Sequence, residues 1–296
     1  MNYDVMMIGP IAHDHNIDYQ GDEVFELGGA VYFSAAAANA ANAKVYAAIK
    51  MAKQDESILE TFQLPGSSIS ILPSSVTTLM RNQYFTADRE KRRATSLAQS
   101  DQILFEEIPK VNTTLYHLAG LLYHDFSNDI IVKLAEKGLV SADIQGFLRH
   151  RNPLNGEMYF EDWEDKKKYF KYFNFLKTDA AEAEILTGTS DRKEAAAIMY
   201  HWGAKEIMIS YNKEILVFDG SDFYTCPIKA RNLSGRTGRG DTTFGAYIAK
   251  RVNGNSIKES LLFSTAMVSL KMETPGAFKG TSRDVENYIK DFYSEF

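Results

Sequence analysis

Short apolar runs alternate with helix-compatible segments along almost the whole chain, and this alternation constrains the fold more than any other feature. Residues 5–8 have the composition of a buried strand, and residues 30–43 that of an alanine-rich helix whose small side chains allow close packing. Strands that alternate with helices form right-handed βαβ units, which build a mainly parallel sheet covered by helices. The sequence therefore predicts an α/β fold.

The alternation continues to the end of the sequence. Further apolar runs predict strands at residues 45–49, 68–72, 114–118, 139–144, 173–176, 206–210 and 215–219. Helical patterns predict helices at residues 128–137, 166–172, 180–186, 193–202, 241–252, 257–274 and 283–293. No internal repeat, low-complexity tract or linker separates them, so we predict one domain over residues 1–296.

One segment departs from the alternation. Residues 77–103 are polar and rich in β-forming side chains, and they include a charged run at residues 88–93. Clustered charges favour water, so this run is typical of a solvated turn. The segment is predicted to form a hairpin that stands off the core.

Composition excludes several classes of function. The chain has 33 lysine and arginine residues against 39 aspartate and glutamate residues, and its net charge of −6 argues against nucleic acid or an acidic membrane as a partner. Its one cysteine, Cys226, excludes an internal disulfide and a cysteine-based zinc site. We find no signal peptide and no apolar segment long enough to span a bilayer. These features predict a cytoplasmic enzyme.

A glycine-rich segment at residues 235–245 carries the strongest chemical signal. Three glycines among six residues lead into Asp241, and a helix-compatible run follows. Glycines let the backbone approach a ligand closely, and the free amides and dipole of a helix N-terminus attract phosphate. A carboxylate in this turn would repel that phosphate, so taking a proton from the attacking group is its more sensible role. The alternative is a loop in which Asp241 only caps the helix.

Residues 235–245 resemble the C-terminal signature of the ribokinase/PfkB family of carbohydrate kinases, whose usual form is Asp-Thr-Thr-Gly-Ala-Gly-Asp. The resemblance implies a ribokinase-like three-layer sandwich with a mainly parallel central sheet and a small β lid. It also implies that Asp241 is the catalytic base and that the backbone of Gly238, Arg239 and Gly240 forms an anion hole for the transferring phosphoryl group.

Two positions of this signature differ from the family form. Gly235 replaces the leading Asp, which in the family helps to build a monovalent-cation site, so the resemblance leaves open whether such a cation activates this chain. Arg239 replaces the Ala and adds a cation near the phosphates.

The N-terminal third carries a second match to the family. Asp14 follows the first predicted strand at its carboxyl end, where ligands of open α/β sheets bind. The resemblance implies that Asp14 binds substrate hydroxyls and that the amides of Gly28 and Gly29 approach the substrate closely. Phe33 stands where the family usually has Asn, which indicates a divergent substrate pocket.

The middle of the chain carries weaker matches. Asp143 and, a few residues on, Arg149 resemble a family strand whose end meets the substrate, although a surface salt bridge would explain them equally well. Residues 177–188 resemble the family pattern that contains Asn-x-x-Glu, present here as Asp179 and Glu182. The resemblance implies that both carboxylates act through water on Mg²⁺ bound to ATP, and a capping role for Asp179 is compatible with this.

The ATP site implied by the resemblance is only partly present in the sequence. The family usually has Thr-x-Gly-x-x-Gly after the strand that ends at Ser210, but no glycine follows it here, and Lys213 is the candidate to compensate. Thr237 belongs to the phosphate end of the same site. The segment Pro275, Gly276 and Ala277 resembles the family's closing Pro-Gly-Ala beside the base and the adenine.

Histidines offer weaker candidates. His13 and His15 flank Asp14, but two His ligands need a third, and we interpret them as structural rather than as a metal site. His124 and Asp125 follow a predicted strand and are expected at the rim of the substrate pocket.

The resemblance assigns the lid to residues of about 15–27 and 77–103, where it would exclude water that competes for the phosphoryl group. Lids of the family often pair, and the apolar side chains of Leu79 and Phe85 are compatible with a homodimer.

Three hypotheses follow for function. The first is an ATP- and Mg²⁺-dependent kinase of a sugar or a polyol such as inositol, with a small molecule as its only required partner. The second is a nucleoside kinase of the same fold. The third is a degenerate relative that only binds a sugar or nucleotide, because the glycines after Ser210 are missing.

Overall fold

The computed structural model describes residues 2–86 and 91–296. Among these, the strands are β1 (Asn2–Pro10), β2 (Ala12–Ile17), β3 (Glu23–Gly28), β4 (Val45–Ala52), β5 (Ile69–Ser74), β6 (Thr78–Tyr84), β7 (Arg92–Ala98), β8 (Asn112–Leu118), β9 (Leu139–Asp143), β10 (Arg149–Arg151), β11 (Met158–Phe160), β12 (Phe175–Asp179), β13 (Glu206–Ser210), β14 (Glu214–Phe218) and β15 (Phe223–Pro227).

Helices connect most of these strands. They are α1 (Ala30–Ala40), α2 (Asn128–Ala135), α3 (Gln145–Leu148), α4 (Lys166–Tyr169), α5 (Ala180–Thr187), α6 (Arg192–His201), α7 (Arg239–Val252), α8 (Ile257–Lys271) and α9 (Ser282–Phe292). Short 3₁₀ segments occupy Lys53–Thr61, Gly66–Ser68, Phe105–Glu107 and Phe170–Tyr172.

A nine-stranded sheet forms the centre of the fold, in the order β15-β14-β13-β12-β9-β8-β1-β4-β5. All pairs from β13 to β5 are parallel, and at the other edge β14 runs antiparallel to both of its neighbours, β13 and β15. The predicted α/β fold with a mainly parallel sheet is therefore confirmed. The sequence analysis missed β15, whose alternating buried and exposed residues are typical of an edge strand rather than of a continuous apolar run.

The sheet separates two hydrophobic cores because successive side chains of a strand point to opposite faces. In β1, Val5 and Met7 join the core formed with α1, α7, α8 and α9, whereas Met6 and Ile8 join the core formed with α2, α5 and α6. The result is three layers, helix on sheet on helix. The alanine-rich α1 packs directly on α7, which places the glycine-rich segment next to the N-terminus of α1.

A smaller sheet of four strands, in the order β3-β2-β6-β7, stands at the carboxyl edge of the large sheet. Its strands come from the two segments that the sequence analysis assigned to a lid. The predicted charged turn falls partly outside the described residues, at positions 88–90. On the outer face of this sheet the ring of Phe25 is stacked 4.4 Å from that of His15.

No helix among the described residues combines the length and the apolar composition that a membrane crossing requires.

Candidate active site

An open cleft of about 450 Å³ lies between the large sheet and the four-stranded sheet. Its floor consists of the carboxyl ends of β9, β12 and β13 together with the first turn of α7, and β2, β6 and β7 contribute the opposite wall. Ligands of open α/β sheets bind at this edge of the sheet. The cleft is therefore the candidate active site.

Most of the residues that the sequence analysis singled out meet in this cleft. Those that line it are Asp14, Gly29, Asp143, Arg149, Asp179, Ser210, Thr237, Gly238, Arg239, Gly240 and Asp241. They come from six separate parts of the chain, which the fold brings together.

Asp241 lies in the first turn of α7, at the floor of the cleft. Burial raises the pKa of its carboxyl group to about 6, the nearby Asp143 acts in the same direction, and the cation of Lys177 opposes both. Most Asp241 side chains are consequently deprotonated at neutral pH. A carboxylate with a pKa just below the operating pH is suited to accept a proton and to release it again.

Lys177 is a residue of the cleft that the sequence analysis did not assign to the site. Its ammonium group donates to Asp143 Oδ2 at 2.8 Å, and both side chains are almost fully buried. A Cβ atom added at Gly240 would lie 2.8 Å from Lys177 Nζ, so the ammonium adjoins the start of α7. Burial works against its charge, but the surrounding carboxylates outweigh this and raise the pKa of Lys177 above its usual value.

The predicted anion hole lies where α7 begins. Gly238 is the residue before the helix and has φ 75°, a conformation that other residues rarely adopt, and an added Cβ would lie 2.2 Å from the ring of Phe33. The Arg239 amide donates to Arg236 O at 3.2 Å and is therefore engaged in a turn. The anion hole stays a prediction, and this contact favours the Gly238 and Gly240 amides over the Arg239 amide as its donors.

Arg239 contributes its side chain to the cleft as well. Its Nη1 donates to Asn212 Oδ1 at 3.3 Å. Asn212 and Ser210 belong to the hairpin between β13 and β14, so this contact connects the hairpin with the start of α7. Arg236 lines the same end of the cleft, which is consequently rich in groups that donate hydrogen bonds to phosphate.

Asp14 lies on β2, in the wall of the cleft that the four-stranded sheet contributes. Burial raises the pKa of its carboxyl group to about 6, whereas Arg149 and Arg92 act to lower it. The guanidinium of Arg149 is buried, and its Nε has no hydrogen-bond partner among the described residues. A carboxylate and an adjacent unsatisfied donor are suited to bind the hydroxyl groups of a polyol.

The four-stranded sheet adds polar side chains that the sequence analysis did not assign. Met80, Asn82 and Tyr84 alternate along β6, and all three face the cleft. Asn82 donates to Asn16 Oδ1 at 3.0 Å, which links β6 to β2. The two-residue period of a strand indicated that these side chains share a face, but only the position of the sheet shows which face meets the ligand site.

Asp179 and Glu182 cap the N-terminus of α5. Glu182 N donates to Asp179 Oδ1 at 2.8 Å, and Asp179 N donates to Glu182 Oε2 at 2.8 Å. Asp179 borders the cleft, but Glu182 is buried away from it, and burial raises the pKa of its carboxyl group. The capping role of Asp179 is confirmed, and of the two carboxylates predicted to act on Mg²⁺ only that of Asp179 borders the cleft.

Four residues predicted to bind the nucleotide lie outside the cleft. Lys213 follows Asn212 in the β13–β14 hairpin, but the turn places Asn212 in the cleft instead. Pro275, Gly276 and Ala277 follow α8 and do not line the cleft, and Ala277 is buried in the core. The resemblance gave their order along the chain, but not the direction in which the loop after α8 turns.

Other predicted residues have structural roles. Gly28 lies beneath Asp14, since an added Cβ would be 2.3 Å from Asp14 Oδ2, and it supports the carboxylate without lining the cleft. Asp125 accepts hydrogen bonds from the amides of Leu121 and Leu122, at 2.7 and 2.9 Å, and is buried. His124 lines a separate depression, so neither residue is at the rim of the cleft as we expected.

The fold and the cleft together define a small-molecule kinase. The model of the pfkB family carbohydrate kinases matches residues 94–282, which is more than half of the chain. The chain therefore belongs to the pfkB family of carbohydrate kinases. It is accordingly a phosphotransferase with an alcohol group as acceptor, as the sequence predicted.

Solved structures give the same result over nearly the full length. The chain is similar to a pyrophosphate-dependent kinase of the ribokinase family complexed with a pyrophosphate analogue and myo-inositol, with 31% identity, a TM-score of 0.85 and coverage of 96% of this chain and 99% of that chain. A ribokinase from Arabidopsis thaliana complexed with ribose and ATP has a TM-score of 0.77 at 15% identity, over 98% of this chain and 99% of that chain, and confirms the ribokinase-like fold.

A cytidine kinase from Thermococcus kodakarensis is 32% identical over 111 residues. The similarity covers 36% of this chain and 40% of the length of that protein.

Proposed function

We propose that this enzyme transfers a phosphoryl group to a hydroxyl of a polyol of the inositol type, with Asp241 as the general base. The observation that carries the proposal is that Asp14 and Asp241 line one cleft, close enough for the charge of Asp241 to act on the pKa of Asp14, with Lys177 beside the first turn of α7. Asp14 is placed to bind acceptor hydroxyls, and the first turn of α7 is placed to bind the phosphoryl group.

In the proposed reaction, the acceptor hydroxyl lies between Asp241 and the terminal phosphorus of the donor. Its oxygen bonds to this phosphorus while the bond from phosphorus to the bridging oxygen breaks, and the leaving group keeps that electron pair. The hydroxyl proton passes to Asp241. The Gly238 and Gly240 amides and the ammonium of Lys177 offset the negative charge that spreads over the phosphoryl oxygens.

We propose pyrophosphate as the donor. The donor end of the cleft is lined by Ser210, Asn212, Arg236 and Arg239, all of which bind phosphate oxygens well, and the segment expected at the adenine lies outside it. A relative that is 31% identical over almost the whole chain is pyrophosphate-dependent. ATP, which the sequence resemblance implied, is the competing donor, because it presents the same phosphoanhydride bond to the anion hole.

Either donor is expected to require Mg²⁺. Asp179 offers the carboxylate oxygens that Mg²⁺ prefers and lies half-buried at the donor end of the cleft, so it is suited to bind the ion directly or through water. When bound, Mg²⁺ supplies positive charge to the phosphate oxygens of the donor.

We rank a polyol above a nucleoside as acceptor. The acceptor end carries Asp14, Asn82, Gln145 and Arg149, which together match a ring of hydroxyl groups. A nucleoside would also need an apolar wall for its base. Phe33 offers an apolar surface in the cleft, and part of the chain is similar to a cytidine kinase, so nucleosides are included among the acceptors to be tested. Membership of a kinase family argues against the third hypothesis, a protein that only binds its ligand.

We further propose that the four-stranded sheet closes over the acceptor as a lid and pairs with a second copy in the cytoplasm. Phe25 and Phe85 expose 72% and 53% of their surfaces on this sheet, which supports pairing through it. Light scattering after gel filtration tests this proposal, since Phe25→Lys should shift a dimer toward monomer and an unchanged mass would contradict it.

The proposed function is tested by turnover with pyrophosphate or ATP as donor, in the presence of Mg²⁺, across a panel of inositols, sugars and nucleosides. Release of phosphate or ADP that requires both the donor and one class of acceptor is the expected result. Asp241→Asn is the paired variant, because it keeps the shape of the side chain and removes the base. Donor binding without turnover on any acceptor would contradict the proposal.

A further inference from the structure

Lys271 is the last residue of α8, and its side chain runs beneath the glycine-rich loop rather than into solvent. Only 1% of its surface is exposed. Its Nζ donates to Gly235 O at 2.6 Å and to Thr237 O, and it lies 5.2 Å from the centre of the Phe33 ring. The ammonium is thus surrounded by backbone carbonyl groups and an aromatic face.

No ion pair to Lys271 exists within the described part of the chain, so the direct contacts of its ammonium group are the two carbonyl groups and the aromatic ring. Burial lowers the pKa of Lys271 to about 8, whereas the more distant carboxylates of Asp241 and Glu26 favour the charged form. The side chain therefore stays protonated at neutral pH. A buried cation is costly unless its surroundings compensate, and carbonyl oxygens with an aromatic face are the groups that compensate monovalent cations.

The loop above the ammonium group of Lys271 has no room for a side chain at position 235. A Cβ atom added at Gly235 would lie 1.8 Å from Thr274 O, so no side chain fits there. Gly235 N also donates to Met272 O at 2.8 Å. The loop is therefore attached to the end of α8 from two directions, by its own amide and by the carbonyl groups that Lys271 binds.

We propose that the ammonium group of Lys271 acts as a built-in monovalent cation, which orients the loop at residues 235–238 and makes turnover independent of K⁺ and other monovalent ions. This inference rests on the proposed function of the same site. Lys271 is a positioning residue. By holding the carbonyl groups of Gly235 and Thr237 beneath the loop, it directs the opposite side of the backbone, including the Gly238 and Gly240 amides, toward the cleft.

The wild-type enzyme provides the first test and needs no substitution. Turnover is measured with Mg²⁺ present and tetramethylammonium as the only monovalent cation, and then with K⁺ or NH₄⁺ in its place. The proposal predicts rates that agree within about twofold. Strong activation by K⁺ or NH₄⁺ would overturn it.

Substitutions at Lys271 provide the second test. Lys271→Ala removes the ammonium and leaves a polar cavity beside two carbonyl groups, whereas Lys271→Met fills much of the space with an apolar chain. We expect kcat of Lys271→Ala to fall by at least ~10-fold with little change in the KM of the acceptor, and NH₄⁺ or K⁺ to restore much of it. The kcat of Lys271→Met should fall by a similar factor, and added NH₄⁺ or K⁺ should not restore it. Lys258→Ala, at an exposed lysine of the same helix, is the matched control and should behave as wild type.

Two outcomes would contradict the role of Lys271. One is a Lys271→Ala enzyme that keeps full turnover in tetramethylammonium, and the other is a folded, inactive Lys271→Ala enzyme that no cation rescues. Thermal unfolding supplies a readout that does not depend on activity: K⁺ or NH₄⁺ should raise the Tm of Lys271→Ala selectively and leave that of wild type unchanged. If wild type shows no turnover with any donor, the proposed function fails. The Tm measurements with K⁺ or NH₄⁺ then still test the role of Lys271.

Discussion

The ammonium group of Lys177 donates a 2.8 Å hydrogen bond to the carboxylate of Asp143, and this buried pair lies against the first turn of α7. Asp143 ends β9, and Lys177 lies directly opposite it on the neighbouring parallel strand β12, so the sheet itself holds them together. Asp241 is close enough for both charges to act on its pKa, in opposite directions. The pair therefore places a cation at the phosphoryl site without leaving a net charge buried beside the base.

Removing only one member of this pair should be strongly destabilising. Lys177→Met leaves the Asp143 carboxylate buried without its partner, and such changes cost about 3–5 kcal/mol of folding free energy. Adding Asp143→Leu should recover a substantial part of that loss, although the double variant remains inactive. Urea unfolding of wild type, Lys177→Met, Asp143→Leu and the double variant measures this, and a double variant less stable than Lys177→Met would contradict the role of the pair.

Activity should fall on the acidic side of neutrality. Asp241 accepts a proton only when deprotonated, and its pKa of about 6 predicts that log kcat declines as the pH falls below about 6. Asp14 has a similarly raised pKa and is proposed to bind the acceptor, so kcat/KM should decline more steeply than kcat. The measurement is a pH–rate profile with saturating donor, and a flat profile between pH 5 and 7 (about one pH unit either side of 6) would contradict the assignment.

The raised pKa of Asp241 also predicts a stability effect. A carboxyl group whose pKa is higher in the folded than in the unfolded chain destabilises the fold at a pH above both values, and this penalty disappears as the pH falls below the unfolded value. Asp241→Asn should therefore be more stable than wild type at pH 7 by roughly 1–2 kcal/mol, since the open cleft screens part of the cost. The difference should vanish near pH 4 (roughly the unfolded pKa), which denaturant titrations at both pH values can check.

The β13–β14 hairpin offers a matched pair of substitutions. Asn212 lines the donor end of the cleft, whereas its neighbour Lys213 does not. A hydrogen bond to a charged group such as a phosphate contributes about 1.5–3 kcal/mol of binding free energy. Asn212→Ala should therefore raise the KM of the phosphoryl donor by at least ~10-fold. Lys213→Ala should leave it within about twofold of wild type. An effect of Lys213→Ala equal to that of Asn212→Ala would restore the phosphate role first assigned to the lysine.

Periodicity was sufficient to predict most of the framework, because most parallel strands are short apolar runs that alternate along the chain with helical segments. Asp14 was found because ligands bind at the carboxyl ends of parallel strands, whereas Asp143 and Asp179 were found through the resemblance to the family. Lys177 obeys this rule as well, and its position two residues before the end of β12 was a usable signal that the sequence analysis did not apply.

Other features depend on how distant segments meet, and these were not predictable. Asn82, Tyr84 and Arg92 reach the cleft only because a second sheet stands above the first. In the sequence, Lys271 is a basic residue in the last turn of a helix, which is a common arrangement. Its burial beneath the glycine-rich loop depends on how that loop packs. Pro275, which was expected at the nucleotide site, does not line the cleft, and its position likewise depends on how the loop after α8 packs.

The central claim is tested most directly by comparing wild type with Asp241→Asn for transfer from pyrophosphate to myo-inositol, with Mg²⁺ present and ATP as the alternative donor. The account predicts phosphate release that depends on the inositol in wild type and falls by at least ~10²-fold in the variant, with donor binding retained. An Asp241→Asn enzyme with wild-type turnover would contradict the assignment of the base and, with it, the proposed mechanism.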